Sequence, residues 1–192
     1  MRTGTKIAAY MFALGTLLAT AGLTRTAHAQ EMAPMKQQLS KQQKIALALS
    51  AGPSNIAKNA TVAEPDGHGG LTVLRPGTND FTCMPGDPGA IGKPAACLDK
   101  VAMQWSNDFE QHKPKPTNTV PGIEYMLAGA TQRSDTDPND TTSPPIQVGA
   151  HWMILWPFDP QTSGLPTKHK ATGAYIMWAG SPYAHVHVMG RP

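Results

Sequence analysis

The chain has 192 residues and a formal net charge of +3, but Arg2, Lys6 and Arg25 all fall in its first 29 residues. Without them 13 basic residues face 13 acidic ones, which argues against the basic surface of a nucleic-acid binder and against electrostatic docking to a membrane. Charged residues make up only 15% of the chain, while Gly and Pro number 18 each, a mix that predicts many turns and ordered loops and not a helical bundle.

Residues 1–29 read as an export signal. Arg2 and Lys6 precede the apolar run "IAAYMFALGTLLATAGL", and "AHA" offers small residues for cleavage near Ala29-Gln30. Gly15, Thr16 and Thr20 interrupt the run, which disfavours a retained anchor. Removal of the first 29 residues leaves 163, a natural single-domain size. The expected location is periplasmic or extracellular.

A helical segment is predicted over 30–52, from Met35, Leu39, Ala46 and Leu49, stopped by Gly52-Pro53. A single compact α+β domain is expected over 53–192. "ATVAE" and "LTVLR" read as short strands across the turn-forming "PDGHGG", and "DFTCMP" as a third. The two cysteines, Cys83 and Cys97, belong to the exported part and are expected to pair. The 15-residue loop they close would contribute about 3 kcal/mol.

An amphipathic helix is predicted over 95–112, where Cys97, Val101, Trp105 and Phe109 step by four, between Pro94 and Pro114. "GIEYMLAGA" reads as a strand and "TQRSDTDPNDTTSPP" as a polar loop. "VGAHWMILWPF" is apolar on both faces, as in a strand covered on both sides. "TGAYIMWAG" and "PYAHVHVMG" read as a terminal hairpin through Gly180-Ser181-Pro182. The expected fold class is α+β: a mainly antiparallel sheet, one amphipathic helix packed on it, and an N-terminal helix.

The chemistry-bearing residues are few. Alternation along the last strand puts Tyr183, His185, His187 and Met189 on one face and Ala184, Val186 and Val188 on the other. The small apolar set suits a core, and the histidine face suits either a site or water. Two imidazoles on one strand face can lean onto one ion, but a catalytic metal needs about three protein ligands. His151, His169 and His68 are the candidates for a third, with His151 favoured because it opens the apolar strand. Nearby Met153, Met177 and Met189 turn the expectation from zinc toward copper.

Asp135, Asp137 and Asn139 begin like a calcium loop, but Asp140 and Ile146 stand where the turn glycine and bidentate glutamate belong. "GHGG" around His68 is a plain loop by composition. Asp108 and Glu110 sit two apart on a helix and do not face each other. No nucleophile elbow, phosphate loop, dinucleotide fingerprint or zinc-protease motif is present in the sequence.

"LRPGTNDFTCMPGDP", "ACLDKVAMQW", "GIEYMLAGA", "GAHWMILWP" and "YIMWAGSPYAHVHV" together resemble an uncharacterised family of exported bacterial proteins. The resemblance spans about residues 45–189. It implies one compact domain that includes both cysteines, and it carries no activity, cofactor or partner.

Three functions fit these residues. The first is a non-catalytic domain that binds a small ligand or another exported protein. The second is a copper- or zinc-binding protein using His185, His187 and His151. The third is a metal-assisted hydrolase, whose general base would come from Asp159 or Glu124.

Overall fold

The computed structural model describes residues 38–87 and 89–192. The signal segment and the front of the helix expected over 30–52 lie outside the described residues.

Chain order begins with α1 (Lys41–Ser50). Ser40 starts it with a reciprocal cap: the serine side chain accepts from the Gln43 backbone N–H, and the Gln43 side chain accepts from the Ser40 N–H. A short turn of helix, α2 (Ser54–Ala57), follows. Strands β1 (Thr61–Pro65) and β2 (Leu71–Arg75) form the expected hairpin. Asp66 closes its loop by accepting from the His68 and Gly70 N–H groups.

Next come β3 (Thr82–Met84), β4 (Ala96–Leu98) and α3 (Lys100–Glu110). The helix therefore starts five residues later than its apolar period suggests. Ala96–Leu98 are claimed by the sheet, and Asp99 caps α3 by accepting from Ala102 N–H. Its other carboxylate oxygen accepts from Ile123 N–H, so one side chain both starts the helix and ties it to the neighbouring strand. The disulfide accordingly joins Cys83 and Cys97 across two paired strands, not a strand and a helix.

The rest of the chain supplies β5 (Gly122–Met126), β6 (Ala130–Gln132), β7 (Ile146–Val148), β8 (His151–Leu155), α4 (Pro160–Ser163), β9 (Gly173–Met177) and β10 (His185–Met189). Eight strands form one sheet in the order β2-β1-β3-β4-β5-β8-β10-β9, and every pair except β1–β3 is antiparallel. β6 and β7 make a separate two-stranded ribbon. The protein is thus mixed α/β, with a large, mostly antiparallel sheet and few helices.

Adjacent residues on β4 show how the core divides. Cys97 packs with Ala48 of α1, Ala57 and Val62. Leu98 points the other way, into a second core with Ala102 and Trp105 of α3 and with Met153 and Leu155 of β8. Gly122 lets α3 approach this second face, because a Cβ there would come within 2.5 Å of the Ala102 backbone nitrogen. Among the described residues no helix is long and apolar enough to cross a membrane. The disulfide suits an oxidising compartment.

Gly122→Ala should destabilise the fold by about 1–3 kcal/mol in chemical denaturation, the usual cost of overpacking a close contact. Replacing both cysteines by alanine should cost about 3 kcal/mol, in line with the length of the closed loop.

Candidate functional site

The register lines up side chains in rows across the second face. One row runs Thr82, Leu98, Glu124, Met153, His187, Tyr175, crossing six strands. In the next row Met126, His151 and Met189 lie side by side. On the other side of the central row, His185 is paired with Met177. Each of the three histidines therefore has a methionine as its direct cross-strand partner: Met153 for His187, Met189 for His151 and Met177 for His185.

The histidine face does not meet water. His151 is 0% exposed, and His185 and His187 are 2% exposed each. The His151 and His187 rings stack with centroids 4.8 Å apart, and His185 and His187 are 5.1 Å apart. The sheet thus brings together all three residues singled out from sequence, on its buried side. The small apolar residues Val186 and Val188 fill the other face, against Ile154, Ile176 and Phe158.

Each ring is held through the same nitrogen. His151 Nδ1 lies 2.8 Å from the Gly149 carbonyl, and His185 Nδ1 lies 2.9 Å from the Tyr183 carbonyl. A carbonyl can only accept, so each Nδ1 carries a proton. His187 Nδ1 lies 3.2 Å from the Tyr175 hydroxyl, which donates its own proton to Asp135 at 3.0 Å. The phenol oxygen is left to accept, so His187 too is protonated at Nδ1.

Burial disfavours a second proton on any of these rings. It depresses the basicity of His151, and that of His185 to about 4. His187 is pushed well below the ordinary imidazole range by burial and then by the neighbouring imidazoles His185, His151 and His169. Neutral rings protonated at Nδ1 leave Nε2 as a bare lone pair. For His151 that atom is buried without any hydrogen-bond partner among the described residues.

Aromatic side chains close the site from above. Trp105 and Trp178 each meet His185 edge-on, at 5.2 and 5.0 Å, and both stack on Phe109. Trp178 holds a left-handed backbone, φ 55°, costly for a bulky residue. Its indole donates to Ser134 O and its amide to Asp135 O, which fixes the polar loop 133–137 beside the histidines.

Other residues weighed from sequence fall elsewhere. His68 sits in the exposed β1–β2 loop. Asp137 and Asp140 accept from nearby backbone amides, an Asx-turn arrangement and not a calcium loop. Asp159 caps α4 through the Gln161 amide. Asp108 is buried and bonded to Lys113 and Thr117. His169 borders the cluster, with Nδ1 3.3 Å from the Tyr175 hydroxyl.

Sequence reading missed Tyr175 and Asp135 as partners of His187. The signal existed for Tyr175, which alternates onto the face of Met177 in the neighbouring strand. Asp135 comes from a loop, where no period operates.

Among the described residues, no group of three or more His, Cys, Asp or Glu side chains is arranged to hold a metal ion. The comparisons with family models, curated proteins and solved structures give no match to this chain.

Glu124 adds a buried acid to the same face. Burial, reinforced by the charge of Asp99, lifts its carboxyl to about 8. Below pH 6.5, the ordinary imidazole value, unfolded histidines bind protons that the three folded rings refuse, so stability rises with pH up to that point. Glu124 works the other way. Between 4.5 and about 8 the folded chain keeps a proton that the unfolded chain has released, so its contribution falls as pH rises. Three groups outweigh one below pH 6.5, and Glu124 acts alone of these four above it. Denaturation midpoints should peak near pH 6.5 and decline toward 8, and Glu124→Gln should flatten the alkaline limb while leaving the acid limb. An alkaline limb that Glu124→Gln leaves unchanged would rule out a neutral Glu124.

Proposed function

We propose that this is an exported, non-catalytic metal-binding protein whose ligand is a soft monovalent ion, copper(I). It would be held by the Nε2 atoms of His151, His185 and His187 with the Met153 thioether. The observation that carries this reading is the triple arrangement at Nδ1. Three buried imidazoles are each tied through Nδ1, and the Nε2 of His151 is left buried with no hydrogen-bond partner among the described residues. That is the way metal-ligating histidines are oriented by their outer partners.

A bare buried acceptor costs about 1–3 kcal/mol, so a core with no ligand to receive would be better served by leucine. The cross-strand methionines favour copper(I) over zinc or calcium, since thioethers are soft ligands. Zinc prefers a tetrahedral set of borderline donors without thioethers; among the described residues the imidazoles are not arranged to hold any metal ion as they stand. Copper(I) accepts low coordination numbers and soft thioether donors, so gathering the imidazoles and the thioether around it would require the site to rearrange on binding. A hydrolase is the weaker reading. Asp159 is committed to its helix cap, and a carboxyl that stays protonated to about 8 is a poor general base near neutrality.

The test is competition for copper(I) against a chromophoric chelator without oxygen, on the mature protein. Wild type should take up one equivalent and gain about 2.7 kcal/mol of stability when free ion reaches a hundred times Kd. His187→Ala should weaken binding by roughly a hundredfold or more, given that loss of an outer partner alone costs 10–100-fold. Met153→Leu conserves volume and should keep the fold while lowering copper(I) affinity about tenfold. Stoichiometric zinc binding insensitive to Met153→Leu, or no copper(I) uptake at all, would overturn the assignment.

A further inference from the structure

We propose that the outer edge of β2 is the interface of a two-fold dimer, in which β2 pairs antiparallel with β2 of a second copy of this chain. The surface lies at the opposite end of the sheet from β10 and β9, and it is independent of the copper(I) reading. Leu71 and Val73 share one face of β2 and are 44% and 55% exposed. Thr72, on the other face, is exposed too. No charged side chain stands between Leu71 and Leu74.

The backbone of β2 is as open as its side chains. Asp66 N–H donates to Gly70 O at 3.0 Å, and the pairing runs on through Pro65–Leu71, Glu64–Thr72 and Ala63–Val73. Bonded and non-bonded pairs alternate in an antiparallel ladder, so Glu64 and Thr72 form a bonded pair while the peptide groups of Leu71 and Val73 turn away from β1. Pro65, which has no N–H to donate, stands at one of the non-bonded positions. Among the described residues no other segment bonds to those outward groups. The far edge of the sheet is covered: the loop after α4 runs along β9, with Ile176 N–H bonded to Pro166 O at 2.8 Å. An unpaired edge is a template for another strand, and proteins that avoid such pairing place lysine, proline or a cover on it. Leu71–Leu74 carry neither lysine nor proline.

The strand is also complementary to itself. With the two-fold axis at Thr72, Leu71 of each copy falls opposite Val73 of the other, and their outward peptide groups exchange hydrogen bonds. The two threonines meet at the axis, a favourable cross-strand pair. The same register brings Arg75 of each copy toward Gly69 of the other, beside the turn that carries Asp66, so the basic end of one strand meets the acidic turn of the second. With 13 basic against 13 acidic residues after removal of the first 29, no net charge opposes association. Because β9 is covered, each copy offers one edge, and the pairing closes at two.

Sedimentation velocity of the mature protein over a concentration series tests this. Wild type should pass from monomer to dimer as concentration rises. Val73→Lys and Leu71→Lys should each raise the dissociation constant about tenfold, because symmetry removes two apolar pairs at once. The thermal midpoint at low concentration should stay put, since both side chains are exposed. Thr72→Cys should cross-link into a covalent dimer under mild oxidation, because the non-bonded pair at the axis brings the two Cα atoms to about 4.5 Å, within disulfide reach. Leu71→Cys should not, because it faces Val73 and not its own copy. A monomer at every concentration overturns the proposal, and so does a dimer that both lysine variants leave intact. Cross-linking of Leu71→Cys as fast as Thr72→Cys overturns the register, and species larger than a dimer overturn closure at two. None of these measurements involves copper(I), so the two proposals stand or fall separately.

Discussion

Imidazoles can be kept inside a protein only if they stay uncharged and their N–H groups find acceptors. The second face of this sheet meets that condition for three of them. Two of the three Nδ1 protons go to backbone carbonyls two residues away in the chain, Gly149 and Tyr183. Those bonds are local, so they form as soon as the chain takes its path into β8 and β10. The third goes to Tyr175, whose hydroxyl needs Asp135 from a distant loop. The site is therefore assembled partly by strand geometry and partly by tertiary closure.

The sheet register does the rest. Period-two alternation on β8 and β10 would place the histidines in either of two half-spaces, and the slot chosen is the one covered by α3. Gly122 sets how near that helix comes, and the aromatic stack on its last turns completes the cover. Trp178 is the costliest piece of this cover, since its backbone is held in a conformation that suits glycine. Its two bonds to Ser134 and Asp135 offset that strain and also fix the loop that carries the partner of Tyr175.

Much of the framework was legible in the sequence, for a physical reason. The β1–β2 and β9–β10 hairpins have strong local signals, in turn residues and β-branched runs, and both are present. The pairing of Cys83 with Cys97 followed from composition and compartment. What sequence could not supply was long-range competition. Ala96–Leu98 fit the helical period of α3, yet the sheet offers them ladder bonds on both sides, and it wins. The same limit applied to the histidines. Alternation put His185 and His187 on one face but could not say whether that face was wet, because the answer lies in where α3 lands. His151 does lie beside the pair, because it stands at the start of the strand that pairs with β10. Asp135 was weighed for calcium and instead serves a phenol.

The position of the disulfide has a consequence for sulfur chemistry. Cys97 and Leu98 are successive residues on β4, so the cystine faces α1 while the imidazoles face α3. Thiolates would be the strongest soft-ion ligands in the chain, and the sheet stands between them and the methionine-lined compartment. Even after reduction they would be on the wrong side of an eight-stranded wall. The sheet thus holds the cystine apart from the buried histidines and methionines, so reduction of the disulfide would release its thiols toward α1 and not toward the imidazoles.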